Sequence, residues 1–123
     1  MGQGVVTDRS QDFSKVQIFS GGVAGGQTSK YSANGAIAHD SIVLGDCSGG
    51  SVALSLPDAK VDGFEMLLAC SAKSGSNTVV ITPSNLIGGS TITFDAVGDS
   101  ISLKYSKKAG GWVVLGGNSY AIA

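Results

Sequence analysis

The sequence predicts an all-β domain: a β-sandwich or jelly roll of short antiparallel strands, preceded by an extended N-terminal arm. Three observations predict it. Short runs alternate apolar and polar residues with the two-residue period of a strand that buries one face, SVALSL at 51–56 being the cleanest. Clusters of Gly, Pro, Asn and Asp punctuate those runs at the close spacing of an all-β fold. Of the 123 residues 19 are glycine and only 14% are charged, a composition suited to tight turns and to a surface partly hidden beneath other subunits. The length suits one core and one domain.

Residues 1–34 read as the arm. Val5, Val6, Phe13, Val16, Ile18 and Phe19 stand isolated among Gly, Ser, Gln, Thr and Asp, too sparse to bury a core alone. One short strand is expected at 16–20, followed by a glycine-rich linker at 21–26. The sandwich domain is expected over 35–123. Asn34-Gly35 suits the two-residue turn of a type I′ hairpin. A strand at 40–44 ends at Gly45-Asp46, and Ser48-Gly49-Gly50 turns the chain into 51–56, with Val52, Leu54 and Leu56 inward. Pro57 stops that strand because it has no N–H to donate.

FEMLLAC at 64–70 contains good helix formers, but it is short and follows Gly63. Period two places Phe64, Met66, Leu68 and Cys70 on one face. Leu67 and Ala69 on the other predict a strand covered on both faces. TVVIT at 78–82 is β-branched and is broken by Pro83-Ser84-Asn85. The loop at 86–89 is expected to drop one apolar side chain onto the core. TITF at 91–94, SISLKY at 100–105 and WVVL at 112–115 then read as a β-meander turned at 95–99 and 106–111, with Ile101, Leu103 and Tyr105 on one face. Residues 119–123 supply a last strand. About eight strands so spaced fit two sheets joined by hairpins and one long cross-connection.

No constellation of enzyme chemistry emerges, and the chain is expected not to be an enzyme. His39 and Asp40 are neighbours, so on a strand they point to opposite faces. His39 reads as a residue at the surface or at the start of a strand. Asp46, Asp95 and Asp99 sit at turns, where Asp bonds its own backbone; calcium binding is the weaker reading, because no EF-hand spacing is present. The glycine pairs lack the Gly-Lys-Ser/Thr ending of a phosphate loop. One His and two Cys make no zinc spacing, and Cys47 and Cys70 are expected to be reduced and partly buried. No cofactor and no metal are therefore expected. A net charge of −1 without a basic stripe argues against nucleic acid; Lys107 and Lys108 read as a solvated hairpin tip. No apolar run is long enough to cross a membrane as a helix, and the absence of an apolar leader points to synthesis and folding in a cytoplasm or to export without a classical signal.

Trp112 is the single tryptophan. Exposed, it is a sugar-stacking platform or an interface anchor; buried, it is a core residue under the last hairpin. The run 112–115 is apolar on both strand faces. One face is expected on the core, the other under a second sheet or another copy of the chain. Trp112, Val113, Val114, Leu115 and Tyr120 are accordingly expected at a subunit interface.

TITFDAVGDSISL at 91–103, followed by GGWVVLGGN at 110–118, resembles a C-terminal β-module of small structural proteins of tailed bacteriophages. Such proteins decorate or cement capsids, or form fibres and spikes, commonly as trimers. The apolar strands around 52–56, 66–70 and 79–82 fit the same module, so the resemblance spans about 40–123. It implies a capsid decoration (cement) protein that binds the major capsid protein as a homo-oligomer, a trimer, on the capsid surface of the virion. Val5, Val6, Phe13, Val16, Ile18 and Phe19 of the arm would then touch the capsid. The alternative it implies is a tail-fibre, spike or head-fibre module that adheres to host glycan or protein through Trp112, Tyr105 or Tyr120.

Overall fold

Alternation with period two recurs in nearly every apolar run, and it sorts the side chains between two facing sheets. The computed structural model describes residues 27–123. The arm residues Val5, Val6, Phe13, Val16, Ile18 and Phe19, the strand expected at 16–20 and the linker at 21–26 lie outside the described residues. Ten strands are found among those described: β1 (Thr28–Tyr31), β2 (Gly35–Ala36), β3 (Ile42–Cys47), β4 (Val52–Leu56), β5 (Glu65–Lys73), β6 (Val79–Pro83), β7 (Ile92–Phe94), β8 (Ser100–Ser106), β9 (Gly111–Asn118) and β10 (Ala121–Ile122). They form two five-stranded sheets, ordered β9-β8-β5-β3-β1 and β10-β7-β6-β4-β2. The domain is all-β and two-layered, as the sequence predicts.

The path of the chain is less conventional than a row of hairpins. From β1 to β6 successive strands alternate between the sheets, so each sheet receives three parallel strands. That part is a flattened coil whose turns stack on one another. Strands β7 to β10 then pair antiparallel onto its end. The expectation of antiparallel strands therefore holds for β5–β8, β8–β9, β6–β7 and β7–β10 and fails for β1–β3, β3–β5, β2–β4 and β4–β6. The reason lies in the loops. A tight turn returns the chain beside itself and antiparallel, whereas a loop that crosses to the other sheet brings it back one full turn later, running the same way.

Three local expectations change with that path. Asn34-Gly35 turns no hairpin: neither residue has positive φ, and the Asn34 Oδ1 accepts the Ala53 amide at 2.8 Å. The sheet also begins earlier than the boundary at 34 allows, since Thr28–Tyr31 pair with β3. Gly45 lies within β3 rather than ending it, and a Cβ there would stand 2.9 Å from both methyls of Val79 on the opposite sheet. Glycine is needed at that point for the sheets to meet.

The meander expected at 91–115 is divided between the sheets: β7 belongs to the second and β8 to the first, so only β8 and β9 form a hairpin. Asp99 shapes the crossing. Its carboxylate is buried and accepts the amides of Asp95 and Ala96 at 3.0 and 3.1 Å. The Cys70 amide donates to the Asp99 carbonyl and the Gly98 amide to the Cys70 carbonyl, both at 2.9 Å. Gly98, at φ +93°, takes the left-handed conformation this turn requires.

The core lies between the sheets. Val43, Met66, Leu68, Ile101 and Leu103 of the first face Val52, Leu54, Leu56, Ile81, Ile92 and Phe94 of the second, all at most 3% exposed. Trp112 is fully buried. Its indole N–H donates to the Pro57 carbonyl at 3.3 Å, and its ring meets Tyr105 edge-on, centroids 5.3 Å apart. Cys47 and Cys70 are free and buried. Both thiols donate to the Ala72 carbonyl, at 3.4 and 3.7 Å. Burial, and next the Cys47 thiol beside it, push the Cys70 thiol up to about 11.

Trp112→Ala is expected to lower stability by about 3–5 kcal/mol, read as a shift of the urea midpoint. Asp99→Ala leaves two amides of the 95–99 turn without their acceptor; a loss of about 1–3 kcal/mol in the same measurement is expected. Because the folded state holds the Cys70 proton more tightly than the unfolded chain, the contribution of Cys70 to stability should be constant below pH 9.0 and fall as pH rises toward about 11. Cys70→Ala should flatten that fall; an unchanged profile would refute the assignment.

Candidate functional site

Alternation that drives one row of side chains into the core drives the next row out. On the first sheet the outward row is unusually apolar. Ile42 stands beside Leu67, and Leu44 beside Ala69, on the paired strands β3 and β5. Leu67 adjoins Ser102 of β8, and Lys104 adjoins Val113 of β9. The covering expected on both faces of β5 is present on one only: Met66, Leu68 and Cys70 are buried, while Leu67 is 37% exposed.

A bulge sharpens this face. The β8–β9 register shifts between Val114 and Gly116, which leaves Leu115 without a partner residue. Its side chain is 54% exposed and stands between two shallow hollows. One, of about 300 Å³, is lined by Glu65, Leu67 and Ser102; the other, of about 310 Å³, by Asp62, Lys104 and Val113. Leu115 borders both.

Charge is confined to two ends of the face. Lys30 and Asp46 pair at 3.4 Å on β1 and β3; Lys104 and Glu65 pair at 3.4 Å on β8 and β5. Register puts the pairs at opposite corners. Asp46 lies four residues beyond Ile42 on its strand, whereas Glu65 lies two residues before Leu67, the partner of Ile42. The Asp46 carboxyl is held below its ordinary value by hydrogen bonds from the Ser48 hydroxyl and amide, at 2.6 and 2.9 Å, and then by Lys30.

The residues expected at a subunit interface separate between the two sides of the sheet. Val113 and Leu115 face outward. Trp112 is fully buried in the core, and Val114 is partly buried against it. Tyr120 is partly buried against the same core just before β10. Tyr105 is also buried, at 8% exposure. Burial, and next the Asp58 carboxylate, raise its phenol above the ordinary value. The aromatic platform open to sequence reading is therefore not displayed by Trp112 or Tyr105. His39 stands where β3 is about to begin. Its ring lies 5.8 Å from Phe64 and 5.9 Å from Trp112, and its Nε2 donates to the Pro57 carbonyl at 2.9 Å.

Sequence reasoning missed Ile42, Leu44 and Leu67 as members of one surface. The signal was present in FEMLLAC, apolar on both faces with no further strand to cover the second, but the neighbours of β5 depend on the parallel pairing. Asp46, Asp95 and Asp99 do not converge, and no group of three or more His, Cys, Asp or Glu suited to a metal ion occurs among the described residues. No helix long and apolar enough to cross a membrane occurs among them. No protein-family model matches the chain, and no curated protein matches it in sequence.

Outward and inward positions on β5 are adjacent, and substitution separates them. Leu67→Lys should leave the far-UV circular dichroism spectrum of the strands unchanged. Leu68→Lys, one residue on and fully buried, should abolish it, because an unpaired ammonium is not tolerated in an apolar core.

Proposed function

We propose that this chain is a structural protein of a phage virion: a capsid decoration (cement) protein that binds the major capsid protein as a trimer and stabilises the head shell. The observation that carries the reading is the outer face of the first sheet, an apolar surface open to solvent on a scaffold whose strands are tied in two continuous sheets. The resemblance of 91–103 and 110–118 to phage structural modules supports the same reading. The chain acts through burial, not chemistry. Apolar surface removed from water contributes roughly 25 cal/mol per Å², and a modest contact repeated over a shell adds up through multivalency. A rigid β scaffold transmits that energy as stiffness, since the sheets cannot yield without breaking backbone hydrogen bonds.

The adhesive alternative relied on exposed aromatic rings. Burial of Trp112 and Tyr105 removes two of its three contact residues, so decoration is the better supported reading. The arm at 1–34 loses its last residues to β1, which leaves 1–26 as the segment proposed to lie across the major capsid protein.

The test is cosedimentation with DNA-free heads of the phage that encodes the chain. Saturable binding and a higher temperature of head disruption are expected; a monomeric chain left in the supernatant would sink the reading. Deletion of residues 1–26 is expected to abolish head binding while the β spectrum persists, and full binding by the truncated chain would remove the arm from the mechanism.

A further inference from the structure

We propose that residues 16–20, VQIFS, add to the open edge of β2 in the same chain, as one more parallel strand of the second sheet. The inference goes beyond the decoration reading and does not rest on it; it leaves residues 1–15 as the part of the arm free to reach a capsid. From β1 to β6 the chain changes sheet at every step. Each new strand lands parallel beside the strand two before it. Run backward from β1, the same rule puts the preceding strand in the second sheet, on the side of β2 away from β4. The run at 16–20 stands at the right distance. The loops that cross between β1 and β6 hold three to eight residues, and seven separate Ser20 from Thr28. A tether that short holds the segment near its own edge at an effective concentration that a separate chain does not match.

The edge of β2 suits such an addition. Ile37 donates its amide to the Ser55 carbonyl of β4 at 2.8 Å. Along a strand, successive residues turn their amide and carbonyl to opposite sides, so Ala36 aims both away from β4. Among the described residues no strand lies on that side. Nothing guards the edge against pairing: SANGA at 32–36 carries no charge and no proline, whereas the open edge strand β1 carries Lys30 and the open edge strand β9 a bulge. Beneath the edge the inward row is unfilled. Gly35 pairs with Leu54, which is buried and points inward, so Gly35 occupies an inward position. A Cβ there would meet nothing within 4 Å. Period two in VQIFS puts Val16 and Ile18 on one face, and that face, turned inward, fills the space beside Gly35.

Amide hydrogen exchange of the full chain, followed residue by residue by NMR, tests the pairing. In the wild type the Ala36 amide should exchange slowly, as a bonded amide does, although it faces away from β4. In Ile18→Asp it should exchange roughly tenfold faster or more, while the Ile37 amide, bonded to Ser55, keeps its protection. If the aspartate costs Ile37 its protection as well, Ile18→Ser takes its place, and the same split between the two amides is expected. Fast exchange of Ala36 in the wild type overturns the proposal. So does slow exchange that persists in a variant whose Ile37 is still protected. Two samples of the chain with different isotope labels, refolded together, identify the donor of the strand. Contacts between Ala36 and residues 16–20 should arise within one chain; contacts between differently labelled chains overturn the assignment to the same chain. Cosedimentation with heads tests the decoration reading separately from each of these results.

Discussion

Two apolar faces must meet across one layer of side chains, and nearly every feature of this protein follows from that requirement. A sheet with one apolar face is unstable alone, and two such faces are stable only when every inward position is filled and none is overfilled. Gly45 and Val79 show how close the fit is. The valine methyls occupy the space that a Cβ on residue 45 would need, so glycine on one sheet and a β-branched residue on the other form a single packing unit. Trp112 closes the layer beside Tyr105, and Pro57 lends the carbonyl that satisfies the indole N–H. A buried donor without that acceptor would offset much of what the ring contributes.

The same requirement explains why the chain crosses between sheets so often. Each crossing spends a loop, and a loop near the core must satisfy its backbone groups. Asp99 does so for the turn between β7 and β8, while the Asn34 side chain, just before β2, accepts the Ala53 amide of β4. Small polar residues thereby take the place of the two-residue hairpin turns that a simpler antiparallel sandwich would use. Strands β3 to β6 have a partner on each side, β1 and β2 form one edge of each sheet, and the antiparallel strands β7 to β10 extend the sheets at the other.

The proposed function uses the side of the first sheet that the core does not use. Its apolar residues come from β3, β5 and β9, three strands far apart in sequence, joined by β8, which contributes serines. Ion pairs stand at two corners of the face, and the Asp62 carboxylate lines the hollow beside Leu115.

Much of this was legible in the sequence. Period-two alternation identified the inward residues of β4, β7 and β8, and the glycine-rich, charge-poor composition indicated an all-β domain. Strand direction was not legible, because alternation is the same whether a neighbour runs parallel or antiparallel. The side of β9 on which each of Trp112 to Leu115 falls was not legible either, since all four are apolar and a bulge resets the alternation between them. What the sequence by itself determined is which side chains seek the core. Only the tertiary structure decided which strands lie side by side, and hence that Ile42, Leu67 and Leu115 share one exposed face, because that choice depends on where each loop takes the chain.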